Sequence, residues 1–336
     1  MTQTKKIAYL GAGAWGFCLA TLLATKGYNV VSWANNPVLV ETLNRGEEHP
    51  HMRGHRAKSN MHFTTDMAEA IRNADLIVEA VTASGIRPVF TTLASHKLPH
   101  CPIVLTSKGI EQNSELILPE IVTEVLGDHV KEQIGCLSGP SYASEVIQGL
   151  PTSVVASGYS PKTTELIVQT FTTPTFRVYP NQDILGVCFG GALKNVIAIA
   201  CGISEGLGLG YSSKAALMTR GLHEIRKLAI AAGCRADTIN GLSGMGDVCL
   251  TCGSLISRNC RFGYLLAQGK TPQEAEKEIE MVVEGVYTAI SALQLSKKFH
   301  VAMPITEIVY KIVYEELKPT NAVKALMQRL IKEEHL

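Results

Sequence analysis

Lys194 is the only formal charge between Asp183 and Glu205, inside the apolar run GVCFGGALKNVIAIACGIS. A lone ammonium in such a run is costly to bury unless it is paired, reaches water, or is held for chemistry. Three readings compete: a membrane span, a soluble core helix whose lysine snorkels or sits in a structural ion pair, and a lysine presented at a cleft where burial tunes its pKa. Against the span stand Gly186, Gly190, Gly191 and Gly202, the central Lys194 and Asn195, and the lack of basic or aromatic flanks. Other groups able to do chemistry recur along the chain. Lys108 follows the apolar PIVLT, Gly139 and Ser141 lie in LSGPSYASE, and Asp247 lies in the glycine-rich GLSGMGD. Ser257, Arg258 and Asn259 open a predicted helix, and an arginine beside hydroxyl and amide donors at a helix start suits a phosphate. Taken singly, Lys108 also reads as a solvated loop residue and Ser257 as an N-cap beside an exposed arginine.

A second kind of chemistry is written near the N-terminus, where IAYL runs into GAGAWG, then FCLATLLATKG, then YNVVSW. Strand, GxGxxG, helix and strand within about 30 residues is far more specific than the glycine spacing alone. Gly11 permits the tight turn, Gly13 lets a pyrophosphate approach the backbone, and Gly16 lets the helix pack on the strand. The helix start supplies N–H groups and a positive dipole end for phosphates. A basic start followed by an apolar run imitates a signal peptide, but the glycine spacing argues against one.

These residues need elements to position them. Apolar strands are expected at ADLIVEAV, PIVLTS, IGCLSG, TSVVAS and FRVY, alternating with helical or loop segments. That alternation predicts an open parallel sheet covered by helices on both faces. After about Pro180 the strands stop, and helices are predicted over 182–203, 211–232, 259–268, 285–299, 304–317 and 320–333, broken at Gly233, Pro272, Pro304 and Pro319. The expected fold class is therefore an α/β Rossmann-type domain over residues 1–181 followed by an all-α domain over 182–336, with no flexible linker and a shared cleft.

Composition narrows the function. A net charge of +1 gives no sign of a nucleic-acid or membrane-hugging surface, so an acidic ligand must be held by a few placed cations. Nine cysteines spread from Cys18 to Cys260 suit reduced thiols in the cytoplasm. Cys249 and Cys252 have CxxC spacing near Cys260, but no second pair completes a zinc set. His49, His51 and His55 in HPHMRGH read as an exposed loop, so no metal is expected there either.

Taken together, GAGAWG, TSKGIE, LSGPSYASEV, GGALKNVIAIACGISEGLGLGYSSKAALMTRG, GLSGMGDVCLTC, SRNCRFG, VEGVYTA and MPITEIVYKI resemble the bacterial-type NAD(P)-dependent glycerol-3-phosphate dehydrogenases. The resemblance implies a 6-phosphogluconate dehydrogenase-like helical half. It implies reversible reduction of dihydroxyacetone phosphate to sn-glycerol 3-phosphate, supplying glycerophospholipid synthesis. Lys194 would be the acid/base at the C2 oxygen, Lys108 would contact substrate and cofactor, and Asp247 would hold Lys194. Gly139, Ser141, Ser257, Arg258 and Asn259 would contact substrate, with Arg258 also reaching the cofactor. Gly11, Gly13, Ala14, Trp15, Gly16, Asn35, Ala143, Val282 and Glu284 would line the dinucleotide. The partners implied are the small-molecule substrate and product, with no nucleic acid, no stable membrane insertion and a homodimer as the candidate assembly.

Two departures from the family pattern stand out. Thr82 replaces a proline common after VEAV, which predicts a local change near the nicotinamide. After the second strand Asn35 and Asn36 replace the usual His or Arg. With neither an acid nor a nearby arginine there, both NADH and NADPH are expected to serve, with a slight lean to NADPH. A 6-phosphogluconate dehydrogenase-type reductase acting on another substrate and a catalytically idle dinucleotide sensor are the rivals. The SRN cluster argues against the first and the retained Lys194, Lys108 and Asp247 against the second.

Overall fold

The computed structural model describes residues 5–331, 333 and 334. Two compact units emerge. One runs to Ser107 and resumes over Leu118–Ile184; the other comprises Lys108–Ile117 and the chain from Leu185 onward.

The strands of the first unit are β1 (Lys6–Leu10), β2 (Asn29–Trp33), β3 (Glu48–His49), β4 (Met52–Arg56), β5 (Met61–Thr64), β6 (Leu76–Glu79), β7 (Ile103–Leu105), β8 (Ile134–Ser138), β9 (Thr152–Gly158) and β10 (Phe176–Asn181). Eight of them form one sheet in the order β10-β9-β8-β7-β6-β1-β2-β5. Strands β6, β7 and β8 are buried along their whole length, as the near-continuous apolar runs of a sheet covered on both faces must be. The Rossmann-type fold class holds, with two differences from the expected sheet. Strand β9 pairs antiparallel to β8, while its partner β10 returns parallel to it. Strand β5, which the sequence pattern did not announce, adds an edge beside β2. The histidine-rich stretch is not an exposed loop either: β3 and β4 form an antiparallel hairpin, and His49 is completely buried.

The turn after β1 explains its glycines. Gly11 has φ +107°, and a Cβ there would lie 2.6 Å from the Ala80 carbonyl oxygen. A Cβ on Gly16 would lie 2.2 Å from the Gly11 carbonyl oxygen. Only glycine permits β1, β6 and the following helix, Ala14–Thr25, to meet this closely.

The second unit is helical. Its axis is the long helix Ile184–Gly206, whose most apolar window is 89% buried, so it is a core helix of this unit. Leu193, Ile197 and Cys201 pack in one core with Ile225, Phe262 and Ala289. Helix Arg258–Ala267 crosses it so closely that a Cβ on Gly202 would fall 1.9 Å from the Cys260 carbonyl oxygen. Helices Gly210–Ala231, Glu284–Lys298, Pro304–Tyr314 and Pro319–Met327 match expected segments, the last two ending earlier than predicted. Three α-helices were not expected: Ala236–Ile239, Asp247–Gly253 and Pro272–Ile279. Pro272 starts a helix where a break was expected, because Thr271 and Glu274 form a capping box and proline is well tolerated in the first turn. The excursion Lys108–Ile117 closes on itself through an Ile110–Ile117 bridge. It is tied to helix Glu284–Lys298 by the Ser291 hydroxyl donating to the Ile110 carbonyl (3.1 Å).

Candidate active site

Lys194 projects from the long core helix toward the start of helix Asp247–Gly253. Its Nζ donates to Asp247 Oδ1 (2.5 Å) and to Thr251 Oγ1 (2.7 Å). Lys108 Nζ donates to the other oxygen, Asp247 Oδ2 (2.6 Å). Asp247 is fully buried and Lys194 nearly so, whereas 18% of the Lys108 side chain remains exposed. One carboxylate thus holds two ammonium groups, one on each oxygen, and the cluster carries a formal charge of 2 − 1 = +1. Burial above all, aided by the charge of Lys108 and opposed by Asp247, brings Lys194 down to about 8. An amine poised there exchanges protons near neutral pH, and its protonated form stabilises any negative charge that develops beside it.

The same unit contains the SRN segment. Ser257 is the N-cap of helix Arg258–Ala267, its Oγ accepting from Cys260 N (3.3 Å). Arg258 Nη1 donates to the Val282 carbonyl (2.6 Å), which anchors one edge of the guanidinium beside the start of helix Glu284–Lys298. Asn259 is buried and engaged on both sides: its Nδ2 donates to Asn195 Oδ1 (2.9 Å), and its Oδ1 accepts from Gly285 N (2.8 Å). Ser257 and Asn259 therefore organise the helix end from which Arg258 projects. That chain of amides also links the residue next to Lys194 to the one next to Glu284.

The first unit gathers the dinucleotide candidates around the glycine turn. Gly13 is exposed, and a Cβ placed on it would meet nothing within 4 Å, leaving open the side where a pyrophosphate must approach. Helix hydrogen bonding starts with Phe17 N to Gly13 O (2.8 Å), so the N–H groups of Ala14, Trp15 and Gly16 come before the first intrahelical bond. These features fit a bound dinucleotide. Ala143 lies beside this helix, its carbonyl accepting from Cys18 Sγ (3.4 Å). Gly139 has φ +147°, and its turn is closed by the Ser141 hydroxyl donating to the Gly139 carbonyl (3.1 Å). Asn35 is exposed just beyond β2. The Asn36 side-chain oxygen is engaged in capping helix Pro37–Asn44, accepting from Val38 N (3.0 Å) and Leu39 N (3.2 Å). Thr82 precedes a single turn over Ala83–Gly85, its Oγ1 lying 3.3 Å from Ser84 Oγ.

The structure thus brings Lys194, Lys108 and Asp247 into one cluster. It places Arg258, Val282 and Glu284 in the same unit, and the glycine turn, Asn35, Gly139, Ser141 and Ala143 in the other. Sequence reasoning overlooked Thr251 and Asn195. Thr251 stands four residues after Asp247, on the same face of one helix, and that spacing was the available signal. Asn195 carried no signal beyond its place beside Lys194.

The family model for the NAD-dependent glycerol-3-phosphate dehydrogenase N-terminus matches residues 6–164, and that for the C-terminus matches residues 183–324. The chain is 62% identical over 332 residues to a glycerol-3-phosphate dehydrogenase (NAD(P)+) of Protochlamydia amoebophila, covering 99% of this chain and 100% of that protein. It is 54% identical to the protein of the same name from Chlamydia caviae, covering 99% of each. The crystal structure of glycerol-3-phosphate dehydrogenase from Coxiella burnetii superposes with a TM-score of 0.92 at 34% identity, over 97% of this chain and 99% of that one.

Proposed function

The chain belongs to the family of NAD-dependent glycerol-3-phosphate dehydrogenases, and from that premise we propose that it reversibly reduces dihydroxyacetone phosphate to sn-glycerol 3-phosphate using NADH or NADPH. The observation that carries this reading is the buried Asp247 carboxylate with an ammonium on each oxygen. In this reading the first unit binds dinucleotide through Gly11, Gly13, Ala14, Trp15, Gly16, Asn35 and Ala143, joined by Lys108, Arg258, Val282 and Glu284. The second unit supplies the acid/base and most of the substrate contacts, with Gly139 and Ser141 contributed by the first.

The bound dinucleotide supplies a hydride equivalent to the ketone carbon. Everything else falls to the protein. An ammonium has three N–H donors, and Lys194 directs two of them to Asp247 and Thr251. The third is the one assigned to the substrate C2 oxygen. As that oxygen gains alkoxide character, the cluster charge of +1 is offset, and Lys194 then delivers its proton. In the reverse direction the neutral Lys194 amine takes the hydroxyl proton. Lys108 keeps its bond to Asp247 and adds positive field throughout. Arg258 holds the substrate phosphate, a two-pronged contact that lysine does not reproduce.

The proposed setting is the cytoplasm, with no stable membrane insertion, a homodimeric assembly and a product that feeds glycerophospholipid synthesis. The buried state of helix Ile184–Gly206 supports the absence of insertion, and sedimentation of the purified protein tests the assembly. The decisive experiment measures NADH and NADPH oxidation with dihydroxyacetone phosphate and with unphosphorylated dihydroxyacetone. Wild type should show turnover strongly favouring the phosphorylated ketone, and Arg258→Lys should narrow that ratio. No turnover in wild type would overturn the activity; an unchanged ratio would move the phosphate elsewhere.

A further inference from the structure

His49 is fully buried at the end of β3, although its surroundings in sequence are polar. Its ring lies against Phe17 of the glycine-turn helix, with ring centroids 4.7 Å apart. Both ring nitrogens are used. The backbone N–H of His51 donates to Nδ1 (3.1 Å), so Nδ1 carries a lone pair. In the neutral ring the proton then resides on Nε2, and Nε2 lies 2.9 Å from the carbonyl oxygen of Ala12. Burial also lowers the pKa of this imidazole, in keeping with a neutral ring.

Ala12 is the middle residue of the GAG turn. In a trans peptide the carbonyl and the following N–H point in opposite directions. Holding the Ala12 carbonyl toward the β3–β4 hairpin therefore turns the Gly13 N–H away from it. Without that bond a buried carbonyl loses its partner, and rotation of the Ala12–Gly13 peptide becomes the way to recover one. Gly13, with no Cβ, offers little steric resistance to such a rotation.

We propose that His49 is a positioning residue for dinucleotide binding: its Nε2–H tautomer locks the Ala12–Gly13 peptide so that the glycine turn holds its donors ready for the pyrophosphate before the ligand arrives. This rests on the reading of Gly11–Gly16 as the dinucleotide site and goes beyond it, because His49 itself touches no ligand. The hairpin is thereby part of the binding apparatus.

The test separates the two ring nitrogens. Asparagine at this position places its amide near Nδ1 and can accept from His51 but is too short for Ala12; glutamine reaches the position of Nε2 and can donate to Ala12. Dissociation constants for NADH and NADPH are measured by fluorescence titration of wild type, His49→Asn and His49→Gln, together with kcat and the cofactor KM. His49→Asn should weaken binding about tenfold or more, equivalent to losing a buried hydrogen bond, with kcat at saturating cofactor nearly unchanged. His49→Gln should recover most of the affinity. Equal loss in both variants, or loss in neither, would overturn the proposal and leave His49 a packing residue of the hairpin. Isotope-labelled histidine NMR of wild type does not depend on how the variants fold: an Nδ1–H tautomer or an imidazolium at neutral pH would overturn it too. Failure of wild type to bind either dinucleotide would remove the underlying reading of the glycine turn, and this inference with it.

Discussion

A lysine buried beside a single carboxylate has two ways to remain charged: the field of that carboxylate, and whatever negative charge the reaction creates. Burial lowers the pKa of Lys194 to about 8, because Asp247, which it shares with Lys108, offsets the loss of water only in part. Lys194→Ala should lower kcat by about 10²- to 10⁴-fold, the usual contribution of a general acid/base group, while leaving the dinucleotide dissociation constant nearly unchanged. Near-normal kcat would remove Lys194 from the chemistry. The pH dependence has a definite sign. Ketone reduction uses the ammonium, which is populated below about 8, so kcat for reduction should be level at lower pH and fall as pH rises through that value. Alcohol oxidation uses the amine and should rise over the same interval. Parallel profiles in both directions would show that another group titrates. Cofactor choice is also decided at the residue scale. Asn36 commits its Oδ1 to a helix cap, whereas no such role falls to the exposed Asn35 beside it, which is the neutral side chain assigned to the dinucleotide. Wild type should accept NADH and NADPH with kcat/KM values within one to two orders of magnitude, or about 1 to 3 kcal/mol, the discrimination expected of hydrogen bonds without a committed charge. Asn35→Asp should shift the ratio toward NADH by repelling the 2′-phosphate. An unaltered ratio would place specificity outside this turn.

At the scale of elements, the catalytic helix is held by close backbone approach as much as by side chains. Gly202→Ala should destabilise the protein by at least about 1 to 3 kcal/mol, the usual range for overpacking, since the added methyl would meet the Cys260 carbonyl at 1.9 Å. Denaturant unfolding checks this, and an unchanged midpoint would mean that helix Arg258–Ala267 can move aside freely. The glycines of this helix were legible in the sequence as evidence against a membrane span, and helix Arg258–Ala267 was legible by its own pattern, but the close crossing of the two was not. Sequence patterns announce elements through periodicity. The strands most buried, such as β6 and β7, were legible because their runs are near-continuously apolar, broken in β6 by Glu79 alone. Strand β5 reads MHFT, too short and mixed to announce itself, and the β3–β4 hairpin is hidden among charged and histidine residues. The antiparallel turn of β9 against β8 is set by a tertiary pairing that no local pattern encodes. The same limit applied within the site. Lys194, Lys108 and Asp247 were marked by residue type and by family resemblance, whereas Thr251, Asn195 and His49 act through partners distant in sequence: Asn259 for Asn195, Ala12 for His49 and Lys194 for Thr251.

For the whole molecule, division into two units with separate cores gives the glycine turn and the Lys194–Asp247 pair separate structural supports. Leu193, Ile197 and Phe262 belong to one core and Phe17, Phe63 and Val78 to the other. The glycine turn lies in the first unit, and the Lys194–Asp247 pair in the second. Removing one partner of a buried ion pair commonly costs about 3 to 5 kcal/mol, although Lys108 remains to partner Asp247 here and should reduce that loss. Lys194→Ala should therefore lower the unfolding midpoint of the free protein by a measurable but incomplete part of that amount. Dinucleotide at about one hundred times its dissociation constant should stabilise the folded state by about 2.7 kcal/mol, provided that it binds only that state. Because Lys194 is not among the residues assigned to the dinucleotide, the stabilisation by NADH or NADPH should be the same in Lys194→Ala as in wild type. Denaturant unfolding with and without cofactor measures both terms on the same samples. Equal increments would show that Lys194 serves the chemistry without contributing to dinucleotide affinity. A smaller increment in the variant would show that the ammonium helps to hold the dinucleotide, and the assignment of Lys194 to proton transfer alone would then be wrong.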